Sequence, residues 1–313
     1  MTFARFPARL APGQALVVTA FAVTVFAVAS HAGAQAATST DIHLFPLTLR
    51  NGVMSVGAPT NITARAGYDN QPSFTPDGRS VLFTSVRKDG QSDIYRYDIA
   101  KRRTVRLTRT PESEYSATVT PDGRRMSVIR VEPDSTQRLW SFALNGRDPR
   151  LELTDVKPVG YHAWADDSTL ALFVLGAPAT LQVVSARGSA RTVLSGIGRS
   201  MHRIPGGQSI SFVHKVSDAE WWIKRLDPGT DSVTTLVRTL PGSEDHTWMP
   251  DGSVLMARAN TLYRWRPTSM PASETADWQI VATFDAPALG RISRLAVSPS
   301  GAWLAVVSAE VAR

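Results

Sequence analysis

The chain contains no cysteine and few charged residues. Cysteine is absent from all 313 residues, which excludes disulfides, thiol catalysis and cysteine-bound metals. Charged residues make up 19% and hydrophobic residues 43%, as in a globular protein long enough to bury a sizeable core. The local motifs of serine hydrolases, zinc proteases and phosphate-binding loops are missing, and Gly196-Ile197-Gly198 is too short for a dinucleotide motif. No local motif therefore points to an enzyme class.

Long apolar runs are also missing, except near the N-terminus. There the first 14 residues contain two arginines, the apolar run 15–29 follows them, and the small-x-small triplet Ala34-Gln35-Ala36 comes next. This order predicts a signal peptide over residues 1–36, since the run is shorter than the roughly 20 residues that a spanning helix needs. An uncleaved membrane anchor is the alternative. We expect a periplasmic or secreted protein whose mature part, 37–313, has no membrane span.

Positive charge is not concentrated in any one region. The formal net charge of +7 comes from scattered basic residues, and the short clusters 101–103 and 124–125 lie at or beside predicted turns. No recognition helix or zinc motif accompanies them. The sequence therefore predicts no nucleic-acid partner, although a basic exported protein favours acidic partners.

A repeated unit is the main feature that the sequence does have. Its clearest copy, residues 68–108, contains the turn Pro76-Asp77-Gly78, the apolar strand 80–85, the alternating strand 93–97 and the closing strand 104–108. One antiparallel sheet of about 40 residues cannot bury both of its faces alone. We therefore expect it to pack between neighbours of the same kind.

The same turn recurs along the chain at similar intervals. Aligning each turn on its third residue gives markers separated by 45, 45, 39, 45 and 49 residues. The markers are Gly78, Gly123, Ser168, Gly207, Gly252 and Gly301. These spacings are in the range of propeller blades, and an insertion at 267–277, interpreted as a surface loop, explains the longest. The sequence predicts an all-β, six-bladed propeller of four-stranded antiparallel blades.

The last blade is predicted to contain strands from both ends of the chain. The C-terminal unit stops just after its second strand, which begins at Trp303, whereas 41–47 matches a third strand and 59–63 a fourth. Together they would complete one sheet and leave no open edge in the ring. Because the two half-units are complementary, we expect 37–313 to form one complete propeller domain.

The repeat resembles that of a known family. The segment 72–85, PSFTPDGRSVLFTS, followed by DIYRYD at 93–98 and RLT at 106–108, is similar to the WD-like repeats of TolB-type propellers. Similar repeats form the propellers of some oligopeptidases. The resemblance extends from about Asp41 to the C-terminus. It implies a monomeric propeller that acts as a non-enzymatic binding module for a peptide or envelope protein, as TolB does in the Tol–Pal system.

Polar residues recur where the chain enters each blade. In a propeller the first strand of each blade lines the central channel, and the segment leading into it opens on one mouth of that channel. These segments are polar in all six units, which predicts a ligand site at this mouth. The candidate residues are Asn70, Glu112, Glu114, Tyr115, Tyr161, His162, Arg199, His202, Glu244, Asp245, His246 and Arg294.

Three histidines fall at nearly the same level of three consecutive blades. His162 and His246 lie six residues before their turn markers, and His202 lies five before its marker. Converging imidazoles would bind a divalent metal or an anionic ligand, and the pattern is loosely similar to the histidine cluster of oligogalacturonate lyases. Arginines at the same mouth would equally bind a carboxylate.

Three functions therefore stay open at this stage. The first is a binding module without a cofactor, and the second is a metal-dependent lyase or hydrolase acting on an anionic substrate such as an acidic sugar. The third is a structural scaffold whose channel is polar only because it is hydrated.

Overall fold

The computed structural model describes residues 39–87, 90–185, 190–267, 277–284 and 289–309. All of them belong to one unit, Ala37–Arg313. The predicted signal peptide and most of the predicted loop at 267–277 lie outside the described residues. Within these ranges, no helix has both the length and the apolar character that crossing a membrane requires.

Twenty-five strands make up the described part of the chain. In chain order they are β1 (Thr40–Arg50), β2 (Val53–Val56), β3 (Thr60–Asn61), β4 (Asp69–Phe74), β5 (Ser80–Val86), β6 (Ser92–Asp98), β7 (Arg103–Arg106), β8 (Ser113–Val119), β9 (Arg125–Val131), β10 (Gln137–Ala143), β11 (Arg150–Leu151), β12 (Val159–Trp164), β13 (Thr169–Val174), β14 (Thr180–Ser185), β15 (Arg191–Ser195), β16 (Ile197–Arg203), β17 (Ile210–Lys215), β18 (Trp221–Asp227), β19 (Ser232–Arg238), β20 (His246–Trp248), β21 (Val254–Arg258), β22 (Thr261–Trp265), β23 (Gln279–Thr283), β24 (Ile292–Val297) and β25 (Trp303–Ala309).

These strands form six antiparallel sheets, each of which is one blade. The first five blades are β4–β7, β8–β11, β12–β15, β16–β19 and β20–β23, and every one is a four-stranded meander. The sixth contains β24, β25 and β1, with β2 and β3 beside β1. The predicted all-β, six-bladed propeller is confirmed.

The sixth blade combines strands from both ends of the chain, as the sequence predicts. β25 pairs with β24 on one side and with β1 on the other. The pairing with β1 is continuous, from Thr40 opposite Ala309 to Pro46 opposite Trp303. The terminal strands therefore complete the ring of blades.

The outer part of this blade differs from the predicted single fourth strand at 59–63. β1 continues past the predicted third strand and turns back into β2 through Asn51 and Gly52, with φ angles of 50° and 78°. An Asn-Gly pair with positive φ at both residues is the preferred two-residue hairpin turn. β3 then pairs only with His43 and Leu44 of β1.

The blades are held together by apolar residues on both faces of their middle strands. In β5 and in β9 five consecutive residues are buried, which is the pattern of a strand covered on both faces. The apolar clusters join neighbouring blades, so that Ile42 and Ala305 of the sixth blade pack with Val81 and Phe83 of the first. No single blade could bury this surface alone.

The aspartate of the repeated turn determines where the first strand ends. Asp77 Oδ1 accepts hydrogen bonds from Thr75 Oγ1 at 2.6 Å and from Arg79 N at 3.0 Å, while Gly78 adopts a φ of 68°. Asp122 repeats both contacts in the second blade. Residues at equal distances before the turn markers therefore lie at similar levels of the channel.

Candidate functional site

Two cavities lie along the central channel. The lead-side cavity, of about 930 Å³, is lined by the segments that enter the first strands. The turn-side cavity, of about 380 Å³, is lined by the first strands further along, toward the turns. Both volumes are in the range of small-molecule sites, about 300–1,000 Å³. The mouth at which the sequence predicts a ligand site is therefore concave and of suitable size.

The structure divides the twelve predicted site residues into three groups. Six line the lead-side cavity: Asn70, Tyr161, Arg199, Glu244, Asp245 and Arg294. His162 and His202 line only the turn-side cavity. The remaining four line neither of these two cavities: Glu112, Glu114, Tyr115 and His246.

Arg294 lies between the two cavities and lines both of them. Its Nη2 donates to the hydroxyl of Tyr161 at 2.8 Å, and its Nη1 is 3.7 Å from Asp245 Oδ2. Burial raises the pKa of Asp245 to about 6, although Arg294 and a hydrogen bond from Leu295 N oppose this rise. Tyr161 belongs to the third blade and Arg294 to the sixth, so this contact joins opposite blades across the channel.

Glu244 is held at the lead-side cavity by two cations. Its Oε2 accepts from Lys215 Nζ at 2.7 Å, and its Oε1 is 3.4 Å from Arg199 Nε. Burial favours a higher pKa for Glu244, but the bonds from Lys215 and Arg199 bring it below its ordinary value. A Cβ at Gly198 would lie 3.0 Å from Glu244 Oε1. Gly198, the last residue of the Gly196-Ile197-Gly198 stretch, thus leaves space for the Glu244 carboxylate.

Two arginines of the lead-side cavity are missing from the site predicted by sequence. Arg258 ends β21 and Arg291 directly precedes β24, and both are exposed. Within the described residues, neither forms an ion pair or a side-chain hydrogen bond. Arg291 lies in the segment that leads into the first strand of the sixth blade, so its distance from the turn marker is a signal that could have identified it. Arg258 lies on a second strand, for which the sequence offers no such signal. Tyr68 and Trp221 add aromatic surface to the same cavity.

The three histidines make hydrogen bonds to serines of the channel walls. His162 Nε2 is 2.7 Å from Ser127 Oγ, and His246 Nε2 is 2.9 Å from Ser211 Oγ. His202 contacts His246 edge to face, with ring centroids 4.9 Å apart. Over the described ranges, no group of three or more histidine, aspartate or glutamate side chains could hold a metal ion. The geometry therefore gives no support to the metal site that the spacing suggested.

Burial also keeps these imidazoles uncharged. It lowers the pKa of His162 to about 4, and with a smaller contribution from Arg294 it lowers the pKa of His202 to about 4. The pKa of His246 lies well below its ordinary value for the same reason, with His202 adding to the effect. Neutral imidazoles do not attract anions, so any binding of anions in the channel depends on the arginines.

The acidic residues of the second blade contact an arginine rather than either cavity. Glu112 and Glu114 both form ion pairs with Arg130, and the Thr110 hydroxyl donates to Glu114. Tyr115 packs against an apolar cluster of the second and third blades. Burial raises the pKa of Glu114 to about 7. These residues therefore belong to the packing of the blade.

Changing Glu114 to glutamine should alter the pH dependence of stability. The folded-state pKa is raised from 4.5 to about 7, so ionisation penalises the folded state, with no penalty below pH 4.5 and the full penalty above about pH 7. Relative to the wild type, the free energy of unfolding of Glu114→Gln should rise by about 3 kcal/mol across this interval. Urea denaturation at several pH values measures the difference. Glu112→Gln controls for losing a negative charge beside Arg130, and a pH-independent difference would contradict the prediction.

Comparison with known proteins places the chain among the TolB-like propellers. A model of the TolB beta propeller domain matches residues 43–203, just over half of the chain. Dipeptidyl-peptidase 5 of Porphyromonas gingivalis is 30% identical over 137 residues, which cover 42% of this chain and 18% of that protein. The Tol-Pal system protein TolB of Bordetella pertussis is 49% identical over 41 residues, which cover 12% of this chain and 9% of that protein. The chain thus spans less than a fifth of these curated relatives.

Solved structures show the same fold at low sequence identity. A candidate TolB from Agrobacterium tumefaciens has a TM-score of 0.65 at 16% identity, covering 87% of this chain and 98% of that one. TolB from Acinetobacter baumannii has a TM-score of 0.56 at 14% identity, covering 88% and 65%. At these identities the likeness concerns the fold alone. Together with the match over half of its sequence, it shows that the chain belongs to the family of the TolB beta propeller domain.

Proposed function

We propose that the protein is an exported binding module that holds an acidic segment of a partner peptide or protein in the lead-side cavity. The observation that carries this proposal is the pair Arg258 and Arg291, which are exposed at the cavity and have no counter-charge among the described residues. Arg199 and Arg294, in contrast, already contact Glu244 and Asp245. The cavity therefore has two guanidinium groups available for carboxylates of a ligand.

The chemistry of the remaining lining fits a peptide. Guanidinium groups bind carboxylates through two parallel hydrogen bonds, which gives both affinity and orientation. Tyr68, Tyr161 and Trp221 line the same cavity, and aromatic side chains are frequent at the centres of protein-binding surfaces. The Bordetella relative is named as a Tol-Pal system protein, and the resemblance to TolB-type propellers implies an envelope protein as the partner.

The alternative, a metal-dependent lyase or hydrolase, has no comparable observation in its favour. His162 and His246 are bonded to serines, and His202 packs against His246. The carboxylates of the lead-side cavity are paired with cations. The binding function is therefore the better supported of the two.

The test is the affinity for a fluorescently labelled hexaglutamate peptide, measured by anisotropy at physiological salt. The double variant Arg258→Ala/Arg291→Ala should bind at least about tenfold more weakly, because it loses two charge-assisted contacts. Arg79→Ala/Arg124→Ala is the matched control, since it removes the same charge from two exposed arginines beside the tight turns. The control variant should bind as the wild type does.

Equal affinities of the two double variants would contradict the proposal. In that case binding would follow the net positive charge of the protein and not the position of Arg258 and Arg291. Absence of hexaglutamate binding to the wild type would contradict it as well.

A further inference from the structure

The third strands of the fourth and fifth blades contain equivalent arginines. Arg225 of β18 donates from Nε to Ser209 Oγ at 2.9 Å, and Arg264 of β22 donates from Nε to Ser253 Oγ at 2.8 Å. Each arginine pairs across the sheet with the residue two positions after its serine. The two guanidinium groups are therefore held in the same way against the second strand of their blades.

The two arginines differ in their ion pairs. In the fifth blade, Arg264 Nη2 forms an ion pair with Asp251, the aspartate of the repeated turn, and the Arg264 side chain is 4% exposed. The equivalent turn of the fourth blade, Pro205-Gly206-Gly207, has a glycine in place of that aspartate. Arg225 is exposed and forms no ion pair with any described residue. It therefore lacks the carboxylate that its equivalent has.

Arg225 lines a pocket between the third and fourth blades, which we call the inter-blade pocket. Its volume of about 460 Å³ is in the range of small-molecule sites. A second arginine of the pocket, Arg191, is already bound to Asp231, with Nε 2.6 Å from Oδ2 and Nη2 2.8 Å from Oδ1. The polar residues that line the rest of the pocket are Asp166, Thr169 and Ser185 of the third blade and Gln208 and Asp227 of the fourth.

Two carboxylates accompany Arg225 in the inter-blade pocket. Asp227 follows Arg225 by two positions on β18, so the two side chains share one face of the strand and their Cα atoms are roughly 7 Å apart. Asp166 lines the pocket from the third blade. Neither aspartate forms an ion pair in the part of the chain that the structure describes. A purely anionic ligand would be repelled by both, whereas a ligand with one negative and one positive group is complementary to the pocket.

We propose that the inter-blade pocket binds a free α-amino acid, whose carboxylate bonds to Arg225 and whose ammonium group bonds to Asp227. The ligand carboxylate then supplies the contact that Asp251 makes with Arg264 in the fifth blade. Both charged groups of an α-amino acid are attached to one carbon atom. With a charge-assisted hydrogen bond of about 2.8 Å at each end, the molecule bridges two side chains on one face of a strand.

The uncharged part of the lining indicates which amino acids fit. Gln208 is exposed and Thr169 and Ser185 are half-buried, so the pocket offers amide and hydroxyl groups to the side chain of the ligand. A polar, uncharged side chain can form hydrogen bonds with these groups. Serine and glutamine are therefore the first ligands to test.

The experiment titrates the protein with L-serine and L-glutamine by isothermal titration calorimetry. At least one of them should bind to the wild type. Arg225→Ala should bind it at least about tenfold more weakly, because the bonds to the carboxylate are lost. Asp227→Asn should weaken binding similarly by removing the charge opposite the ammonium group. Asparagine keeps the side-chain oxygen that accepts from Gly229 N at 2.9 Å, so this turn should be retained.

Two derivatives of the amino acid that binds test its charged groups separately. The N-acetyl derivative lacks the ammonium group, and the α-amide lacks the carboxylate. Each should bind to the wild type at least about tenfold more weakly than the amino acid itself. Equal binding of either derivative would contradict the two-point contact.

Arg96→Ala is the matched control for Arg225→Ala. Arg96 occupies the same position on the third strand of the first blade, opposite Leu82, and forms no ion pair among the described residues. It does not line the inter-blade pocket, so the control should retain wild-type affinity. Arg258→Ala/Arg291→Ala should retain it as well, because these residues line a different cavity. The proposal is overturned if neither amino acid binds the wild type, or if Arg225→Ala and Arg96→Ala bind equally well.

Discussion

Replacing Arg294 with alanine is expected to lower the free energy of unfolding by about 3–5 kcal/mol, the usual cost of breaking a buried ion pair. The Arg294 and Asp245 side chains are 14% and 17% exposed, so water compensates little for the lost contact. The substitution leaves the Asp245 carboxylate without its cation and the Tyr161 hydroxyl without its donor. Urea denaturation at neutral pH measures the loss.

The pH dependence of the same variant identifies the cause. Burial already raises the pKa of Asp245 from 3.8 to about 6 while Arg294 opposes the rise, so removing Arg294 should raise it further. A raised carboxyl pKa penalises the folded state above that pKa and does not penalise it below 3.8. The Arg294→Ala variant should therefore recover stability as the pH falls from neutral to about 4. Adding Asp245→Asn should give a similar recovery at neutral pH.

Arg199→Ala is the matched control for Arg294→Ala. The Arg199 side chain is 54% exposed, and its partner Glu244 keeps a second cation, Lys215. We expect a loss below about 1 kcal/mol, as for other exposed ion pairs. If the two variants lose the same stability, or if Arg294→Ala shows no recovery at low pH, the contact across the channel is not the stabilising interaction proposed here.

The fold could be predicted from the sequence because its signals are local. The aspartate of each Pro-Asp-Gly turn bonds to residues of its own turn, as Asp77 does, so the motif marks the strand end without knowledge of the tertiary structure. The closure of the ring followed from the matching half-units at the two termini. The hairpin at Asn51 and Gly52 is an equally local signal, but it lies beyond 41–47, the segment that matches a third strand of the repeat, so the register of the repeats does not predict it.

The sequence could predict only those site residues that lie on or just before the first strand of a blade, because their level in the channel follows from their distance to the turn marker. Equal distance from the markers puts Tyr161, Asp245 and Arg294 at one level, and the structure brings these three together. Successive residues of a strand point to opposite sides, so His162 and His246, one position further along, contact serines of the preceding blade. Register alone could not reveal Arg258, because it reaches the cavity from a second strand.

Replacing Ser211 with alanine is expected to lower the free energy of unfolding by about 2–5 kcal/mol. Ser211 Oγ accepts from Trp248 Nε1 at 2.8 Å, lies 2.9 Å from His246 Nε2 and donates to His202 O at 3.2 Å. Trp248 is 8% exposed and His246 is fully buried, so both lose their partner in a place that water does not reach. Each buried polar group left unpaired costs about 1–3 kcal/mol. Chemical denaturation of the purified protein measures the sum.

The chain contains a second copy of this arrangement, which makes the prediction specific. Ser127 bonds to His162 and Trp164, which follow it by 35 and 37 residues, and Ser211 has the same separations from its own histidine and tryptophan. Ser127→Ala should therefore lose a similar amount of stability, whereas Ser116→Ala should not lower the free energy of unfolding, because it removes a buried hydroxyl that has no partner among the described residues. A serine followed at these distances by His-x-Trp would then stabilise the contact between neighbouring blades through its hydrogen bonds to both side chains. If Ser211→Ala and Ser127→Ala cost no more than Ser116→Ala, the histidines are not held for stability, and a role for them in ligand binding becomes the better explanation.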